Sequence, residues 1–216
     1  MALTVAVAGR PLQLLPERAA FDPESRSLLV ADAHVGKAQA FRRLGVPVPG
    51  GTTANNLQML SRLVERTQAR GIVFLGDLLH APHGRSPAVL NAVARWRAGH
   101  AGLELRLVRG NHDSRAGDPP PDWGVEVVDE PWPLGPWALC HHPDPVAGAY
   151  VLAGHLHPAV AVGRGVDRLR LPCFHFGAQV GVLPAFGAFT GLHTIERAPG
   201  DRVVAVVHDE LRLLPG

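Results

Sequence analysis

Short, nearly continuous apolar runs at residues 28–31, 72–75, 105–108, 137–140 and 150–153 punctuate the chain. Such runs predict strands buried on both faces, the condition of a parallel sheet covered by other layers. Between the first two, Leu57, Leu60, Leu63 and Val64 recur at helical spacing and predict a helix over about 54–70, with Thr52 or Thr53 as its cap. Ser86 followed by Pro87 predicts a second helix start, whose face continues through Leu90, Val93 and Trp96. The connections between runs are long enough for β-α-β crossovers.

Beyond Pro158 the pattern shortens. Residues 159–162, 169–176, 179–183 and 203–207 read as β pieces separated by glycine and proline. Near the start, residues 3–8 and 12–15 flank Gly9-Arg10-Pro11 and predict a hairpin. Two packed sheets flanked by helices account for all of these pieces. At 216 residues the chain has enough for one substantial core, so a single domain over 1–216 is expected.

Composition narrows the setting. Hydrophobic residues make up 46% and charged residues 19%, and no apolar stretch is long enough to cross a bilayer. The first residues lack a basic start followed by a long apolar region, so a cytoplasmic location is expected. Cys140 and Cys173 are too few for a disulfide framework and are expected to be reduced. The formal charge of +2 does not by itself indicate nucleic-acid binding. Lys37 is the only lysine; every other basic residue counted in that charge is arginine, scattered as on solvated faces.

The chemistry sits where the apolar runs end. Asp32-Ala33-His34, Gly76-Asp77, Gly110-Asn111-His112-Asp113, His141 and Gly154-His155-Leu156-His157 each follow one run. Loops beyond the carboxyl ends of strands build the active sites of open α/β sheets, so this placement is coherent. Asp32, His34, Asp77, Asn111, His141, His155 and His157 offer oxygen and imidazole donors without thiolate, more than one ion needs. Two divalent ions are expected, manganese first, with iron or zinc as alternatives. Asp77 is the candidate bridge, because a carboxylate has an oxygen for each ion. The members of Asp32/His34 and His155/His157 converge on one side if the backbone there is extended.

His142 competes with His141, which lies nearer the end of its run. His112, beside Asn111 but not needed as a ligand, is the candidate proton donor to the leaving group. Asp113 either orients a neighbouring histidine or caps the following turn. Lys37 faces a substrate phosphate if a helix opens at Gly36, and Arg109 is a further candidate for substrate contact. His83, His100, His175, His193 and His208 receive no role.

The five blocks, in this order, resemble the calcineurin-like metallophosphoesterase superfamily, whose pattern is Asp-x-His, Gly-Asp, Gly-Asn-His-Asp/Glu, His and Gly-His-x-His. The resemblance implies an α/β fold of four layers, an α/β/β/α sandwich. It assigns Asp32, His34, Asp77 and His157 to one ion, and Asp77, Asn111, His141 and His155 to the other. A water activated between the ions then attacks phosphorus in line.

Phosphoprotein phosphatases of this superfamily carry Gly-Asp-x-x-Asp-Arg-Gly, with the arginine on the phosphate and the second aspartate orienting the catalytic histidine. Here Gly76-Asp77-Leu78-Leu79-His80-Ala81 lacks both residues. This stretch is similar to the Gly-Asp-Leu-x-His of double-strand-break repair nucleases, which gives His80 a different part.

Closer still is the bacterial ligase-associated DNA-damage-response endonuclease family. Asp32-x-His34-x-Gly36-Lys37, the 76–80 block, Val108 through Asp113 and Leu183-Pro184-Ala185-Phe186-Gly187-Ala188-Phe189-Thr190-Gly191 carry that likeness. It implies a phosphodiesterase acting on DNA, in repair, associated with a DNA ligase, a helicase and an exonuclease. Phe41, Arg42, Arg43, Arg109, Phe186 and Phe189 are candidate surface for single-stranded DNA, although core packing suits most of the aromatics. The competing expectations are a phosphoesterase of nucleotides or other small esters, and a metal-binding scaffold without activity.

Overall fold

The computed structural model describes residues 1–48, 50–163, 168–187 and 190–215; Arg164 and Phe189 lie outside them. One seven-stranded sheet runs in chain order through β1 (Leu3–Val7), β2 (Arg10–Leu15), β3 (Ala19–Asp22), β4 (Ser27–Val30), β5 (Gly71–Leu75), β6 (Glu104–Val108) and β7 (Val125–Val128). The first four strands form an antiparallel meander, and β4 to β7 are parallel. The expected hairpin joins β1 to β2, with Val7 opposite Arg10 and both Ala8 and Gly9 at positive φ. Two such residues match the twist of the flanking strands.

The second sheet holds β8 (Trp132–Leu134), β9 (Trp137–Leu139), β10 (Tyr150–Ala153), β11 (Pro158–Val162), β12 (Leu169–Phe176), β13 (Val180–Val182), β14 (His193–Thr194), β15 (Arg202–Val207) and β16 (Glu210–Leu213). Within it β9, β10 and β13 are parallel.

Helix α1 (Lys37–Arg43) follows Gly36, as the sequence suggests, and α2 (Thr52–Thr67) and α3 (Pro87–Ala98) are the two helices foreseen from spacing. A short α4 (Asn111–Ala116) starts at the third block. Ser86 caps α3 by accepting from the Val89 N–H at 3.4 Å. The threonine cap of α2 is not found. Gly51, in the left-handed region at φ 80°, occupies the cap position without a side-chain bond, and Thr52 is already helical. Gln68, also left-handed, ends the helix earlier than the spacing indicated.

Alternation along the strands divides the core in two. Leu28, Ile72, Phe74 and Leu105 face Leu57, Leu60 and Leu63 of α2 and Val89 and Val93 of α3. Their neighbours Leu29, Val73 and Leu75 face Trp137, Leu152 and Phe174 of the second sheet. Each buried leucine or phenylalanine contributes roughly 1.5–3 kcal/mol, so this double layer fixes the strand ends relative to each other. Smaller apolar clusters on the second sheet pack under Val146, Ala149 and Ile195, which lie in irregular chain. Cys140 and Cys173 are buried and unpaired. Among the described residues, no helix is long and apolar enough to cross a membrane.

Candidate metal centre

All five blocks meet at the carboxyl ends of β4, β5, β6, β9 and β10, where the two sheets adjoin. The pairs Asp32/His34 and His155/His157 do converge, but not through extended backbone. Asp32, His34, Asp77, His155 and His157 have φ of 51°, 45°, 50°, 69° and 50°. Such left-handed residues other than glycine are uncommon and carry strain that the surrounding structure must hold. Here the surroundings are hydrogen bonds between the loops: His34 N to the Asp77 carbonyl at 2.8 Å, and Val35 N to the Leu78 carbonyl at 2.7 Å.

One group of donors comprises Asp32, His34 and His157. His34 Nε2 and His157 Nε2 are 3.4 Å apart, and His157 Nε2 is 3.6 Å from Asp32 Oδ1. A second group comprises His141, Asn111 and His155. His141 Nε2 lies 2.8 Å from Asn111 Oδ1 and 3.0 Å from His155 Nδ1. Asp77 stands between them: Oδ1 is 3.5 Å from His141 Nε2, and Oδ2 is 3.9 Å from His34 Nε2.

The backbone fixes which nitrogen faces inward. His141 Nδ1 lies 3.1 Å from the Leu75 carbonyl, and His157 Nδ1 3.1 Å from that of Gly191, so each can donate outward and turn Nε2 toward the other donors. Such outward hydrogen bonds raise the basicity of a metal-binding imidazole.

These groups suit a cation. Asp32, His34, Asp77 and His141 are buried, and Asp32 Oδ1 has no hydrogen-bond partner among the described residues. Burial, reinforced by the nearby Asp32 carboxylate, pushes the Asp77 carboxyl above its ordinary range despite the His112 N–H at 2.9 Å. Burial also pushes His34, His141 and His155 down. A buried acid pushed up beside imidazoles pushed down, each with its charged form disfavoured by burial, makes a donor set that a divalent metal stabilises. The glycines before the site residues are set by close approach. A Cβ on Gly76, at φ +75°, would lie 2.0 Å from His141 Nδ1, and one on Gly110 would lie 2.4 Å from Asp77 Oδ1.

Around this centre the other candidates separate. His112 is half-buried, with Nδ1 2.7 Å from the His80 carbonyl and Nε2 3.9 Å from Asp77 Oδ2. The His80 ring stacks on that of His112, with centroids 5.0 Å apart, and on that of Phe41, with centroids 6.0 Å apart. Among the described residues, Asp113 makes no hydrogen bond or ion pair with a histidine. It accepts from Leu79 N at 2.8 Å and Gly110 N at 3.0 Å, so it braces the second block against the third and caps α4. Arg109 pairs with Asp118 and approaches Asp129 at 3.8 Å, which commits its guanidinium at the rim. Lys37 is half-buried, and among the described residues nothing hydrogen-bonds to its side chain.

His142 lies beside the second group, with a ring nitrogen within 4.8 Å of those of His141 and His155, and is held there by a residue that the sequence did not single out. Glu130 accepts from His141 N at 2.6 Å and His142 N at 3.0 Å, and lies 2.6 Å from His142 Nδ1. Burial alone would raise this carboxyl, but these bonds hold it below its ordinary range. Its signal was an acid just past a parallel strand, β7. Phe186 is fully buried and belongs to the helix-side core rather than to any DNA surface. Its N–H bonds to the Ala31 carbonyl at 2.8 Å and that of Gly187 to the Asp32 carbonyl at 3.1 Å, so the 183–187 segment clamps the first block. His175 is engaged with Asp201 at 2.7 Å, and His100 stacks on Trp96.

Two facing sheets with clustered histidine and aspartate at their strand ends define a metallophosphoesterase. The structure is similar to that of the Pseudomonas putida nuclease MPE, at 42% identity over 99% of this chain and 100% of the other, with a TM-score of 0.89. A phosphoesterase from E. coli, Yfce, aligns at 18% identity over 86% of this chain and 90% of the other, with a TM-score of 0.40. No family model and no curated protein matches. The chain belongs to the calcineurin-like metallophosphoesterases and, within them, to the ligase-associated endonuclease family. It is a metal-dependent hydrolase of phosphate esters.

Proposed function

We propose that this chain, as one domain over 1–216, cleaves phosphodiester bonds of DNA at a centre for two divalent cations, manganese being preferred. Asp32, His34, Asp77 and His157 hold one, and Asp77, Asn111, His141 and His155 hold the other. The observation that carries this reading is the placement of Asp77, whose two oxygens face different donor groups at 3.5 Å and 3.9 Å. Bound there, such ions supply Lewis acidity to the phosphoryl oxygens and lower the pKa of an attacking water.

The chain's own residues supply the rest. Asn111 gives a neutral oxygen, limiting the negative charge of the second group. His112, oriented by the His80 carbonyl, presents Nε2 toward the centre and, in its protonated form, delivers a proton to the leaving oxygen. Glu130 and Asp113 fix the loops that carry His141 and Asn111.

Diester rather than monoester chemistry is supported by the missing phosphatase arginine, because a diester carries a single charge and needs less grip. DNA is supported by the likeness to a nuclease, and by an open hollow of about 440 Å³ beside the site, lined by residues including Arg109, Asn111, Arg115 and His142. The reading includes a cytoplasmic repair role beside a ligase, a helicase and an exonuclease, as the sequence resemblance implies. The test is the wild-type chain with manganese on a nitrophenyl monoester, a nitrophenyl diester, free nucleotides and single- and double-stranded DNA. Cleavage of the diester and of DNA is expected. Hydrolysis of monoesters or nucleotides alone would overturn the reading in favour of a small-ester phosphoesterase.

A further inference from the structure

We propose that Lys37 grips the scissile phosphate, supplying from a different element the positive charge that the missing arginine supplies in phosphoprotein phosphatases. This rests on the phosphodiesterase reading above. Lys37 opens α1 three residues after His34, and its N–H bonds to the His34 carbonyl at 3.0 Å. The same turn is tied to the second block, because His80 N bonds to the Val35 carbonyl at 3.2 Å and Val35 N to that of Leu78 at 2.7 Å. The backbone bearing Lys37 is therefore fixed to the loops that carry His34, Asp77 and His80. A lysine stem reaches about 6 Å, enough to bring the ammonium to the rim of the centre.

The isolation of that ammonium is the second observation. Arg10, Arg66, Arg106 and Arg109 each pair with a carboxylate. Lys37, the only lysine, is half-buried with no hydrogen bond or ion pair among the described residues. A partly buried charge without a partner costs free energy unless something from solution completes it. Burial lowers the pKa of Lys37, while Asp32 and Asp77 oppose that shift, so the ammonium senses both buried carboxylates. When Asp32 and Asp77 are engaged by cations, the charge of Lys37 is left for an anion. The anion brought to this site by the reaction is the phosphate itself. An ammonium, a compact charge with three donors, suits the single charge of a diester.

The test compares Lys37→Met and Lys37→Arg with the full-length wild type, all loaded with manganese, using a nitrophenyl diester as substrate and inorganic phosphate as inhibitor. Lys37→Met is expected to raise both KM and the phosphate inhibition constant about 10- to 100-fold, the effect of one lost charge-assisted bond, with manganese content unchanged. Lys37→Arg is expected to recover most of the loss. Wild-type KM and phosphate inhibition in Lys37→Met would overturn the proposal, as would loss of manganese from it, which would make the residue part of the metal scaffold. A wild-type chain that hydrolyses monoesters but no diester would overturn the diester reading instead, and the phosphate inhibition constants would then judge Lys37 separately.

Discussion

The Nδ1 of His112 lies 2.7 Å from the main-chain carbonyl of His80, which takes the orienting part that an aspartate side chain plays in phosphoprotein phosphatases. A carbonyl accepts the Nδ1 proton and leaves Nε2 for the substrate. His112→Ala is therefore expected to lower kcat on DNA by roughly 10²- to 10⁴-fold, the range for a lost general acid. The loss should be smaller on a nitrophenyl diester, whose leaving group needs no proton. Equal losses on both substrates would assign His112 to charge stabilisation rather than proton delivery.

Glu130 touches none of the converging donor atoms, yet it holds both the His141 and His142 N–H groups. Glu130→Ala frees the loop that positions His141. Manganese affinity or kcat is expected to fall about 10- to 100-fold, as when other outer partners of metal ligands are removed. Titration with manganese alongside steady-state rates checks this, and unchanged values for both would remove Glu130 from the site.

Phe186 links the most distinctive sequence block to stability. It is fully buried, and its backbone clamps Ala31 directly before Asp32. Phe186→Ala should cost about 3–5 kcal/mol, the usual range for emptying a buried aromatic position. Chemical denaturation measures this, and a cost below about 1 kcal/mol would mean that the segment is not a core element.

The metal-free protein should be sensitive to acid. Burial, helped by Lys37, pushes His80 down to about 4, and burial lowers His34, His141 and His155 as well. An unfolded imidazole binds a proton near pH 6.5. As pH falls below about 6.5 the unfolded chain thus takes up protons at these positions before the folded chain does, for His80 down to about 4, and stability falls as pH falls. Asp77 and Asp113, both raised by burial and the latter to about 6, act in the opposite direction. With His80 and His34 the most strongly shifted of these groups, the Tm in chelator is expected to drop from pH 7 to pH 5. A Tm that rises over that interval would contradict the balance.

What the sequence made legible was chemistry carried by side chains at the ends of apolar runs. Asp32, Asp77, Asn111, His141 and His155 stand directly beyond or close to strand ends because buried strands and polar loops differ so sharply in composition. Backbone groups leave no such trace. The carbonyls of Leu75 and Gly191, which orient His141 and His157, belong to residues that nothing in the sequence marks for that part, and His80, which the sequence does mark, orients His112 through its carbonyl rather than its ring. Glu130 was hidden because β7 is short and half-exposed, so the strand before it had no clear apolar run. The left-handed turns at Asp32 and His34 were hidden for another reason. Their conformation is held by contacts distant in sequence, His34 N to the Asp77 carbonyl and Gly187 N to the Asp32 carbonyl.

The most direct test of the two-cation centre is the manganese content of the wild type and Asp77→Asn, measured on the same samples as diester hydrolysis. The wild type should hold about two ions per chain. Asp77→Asn, which keeps the shape but removes the shared charge, should hold one or fewer and lose at least about 10³-fold in rate, equivalent to roughly 4 kcal/mol of transition-state stabilisation. An Asp77→Asn protein that keeps two ions and the wild-type rate would contradict the account.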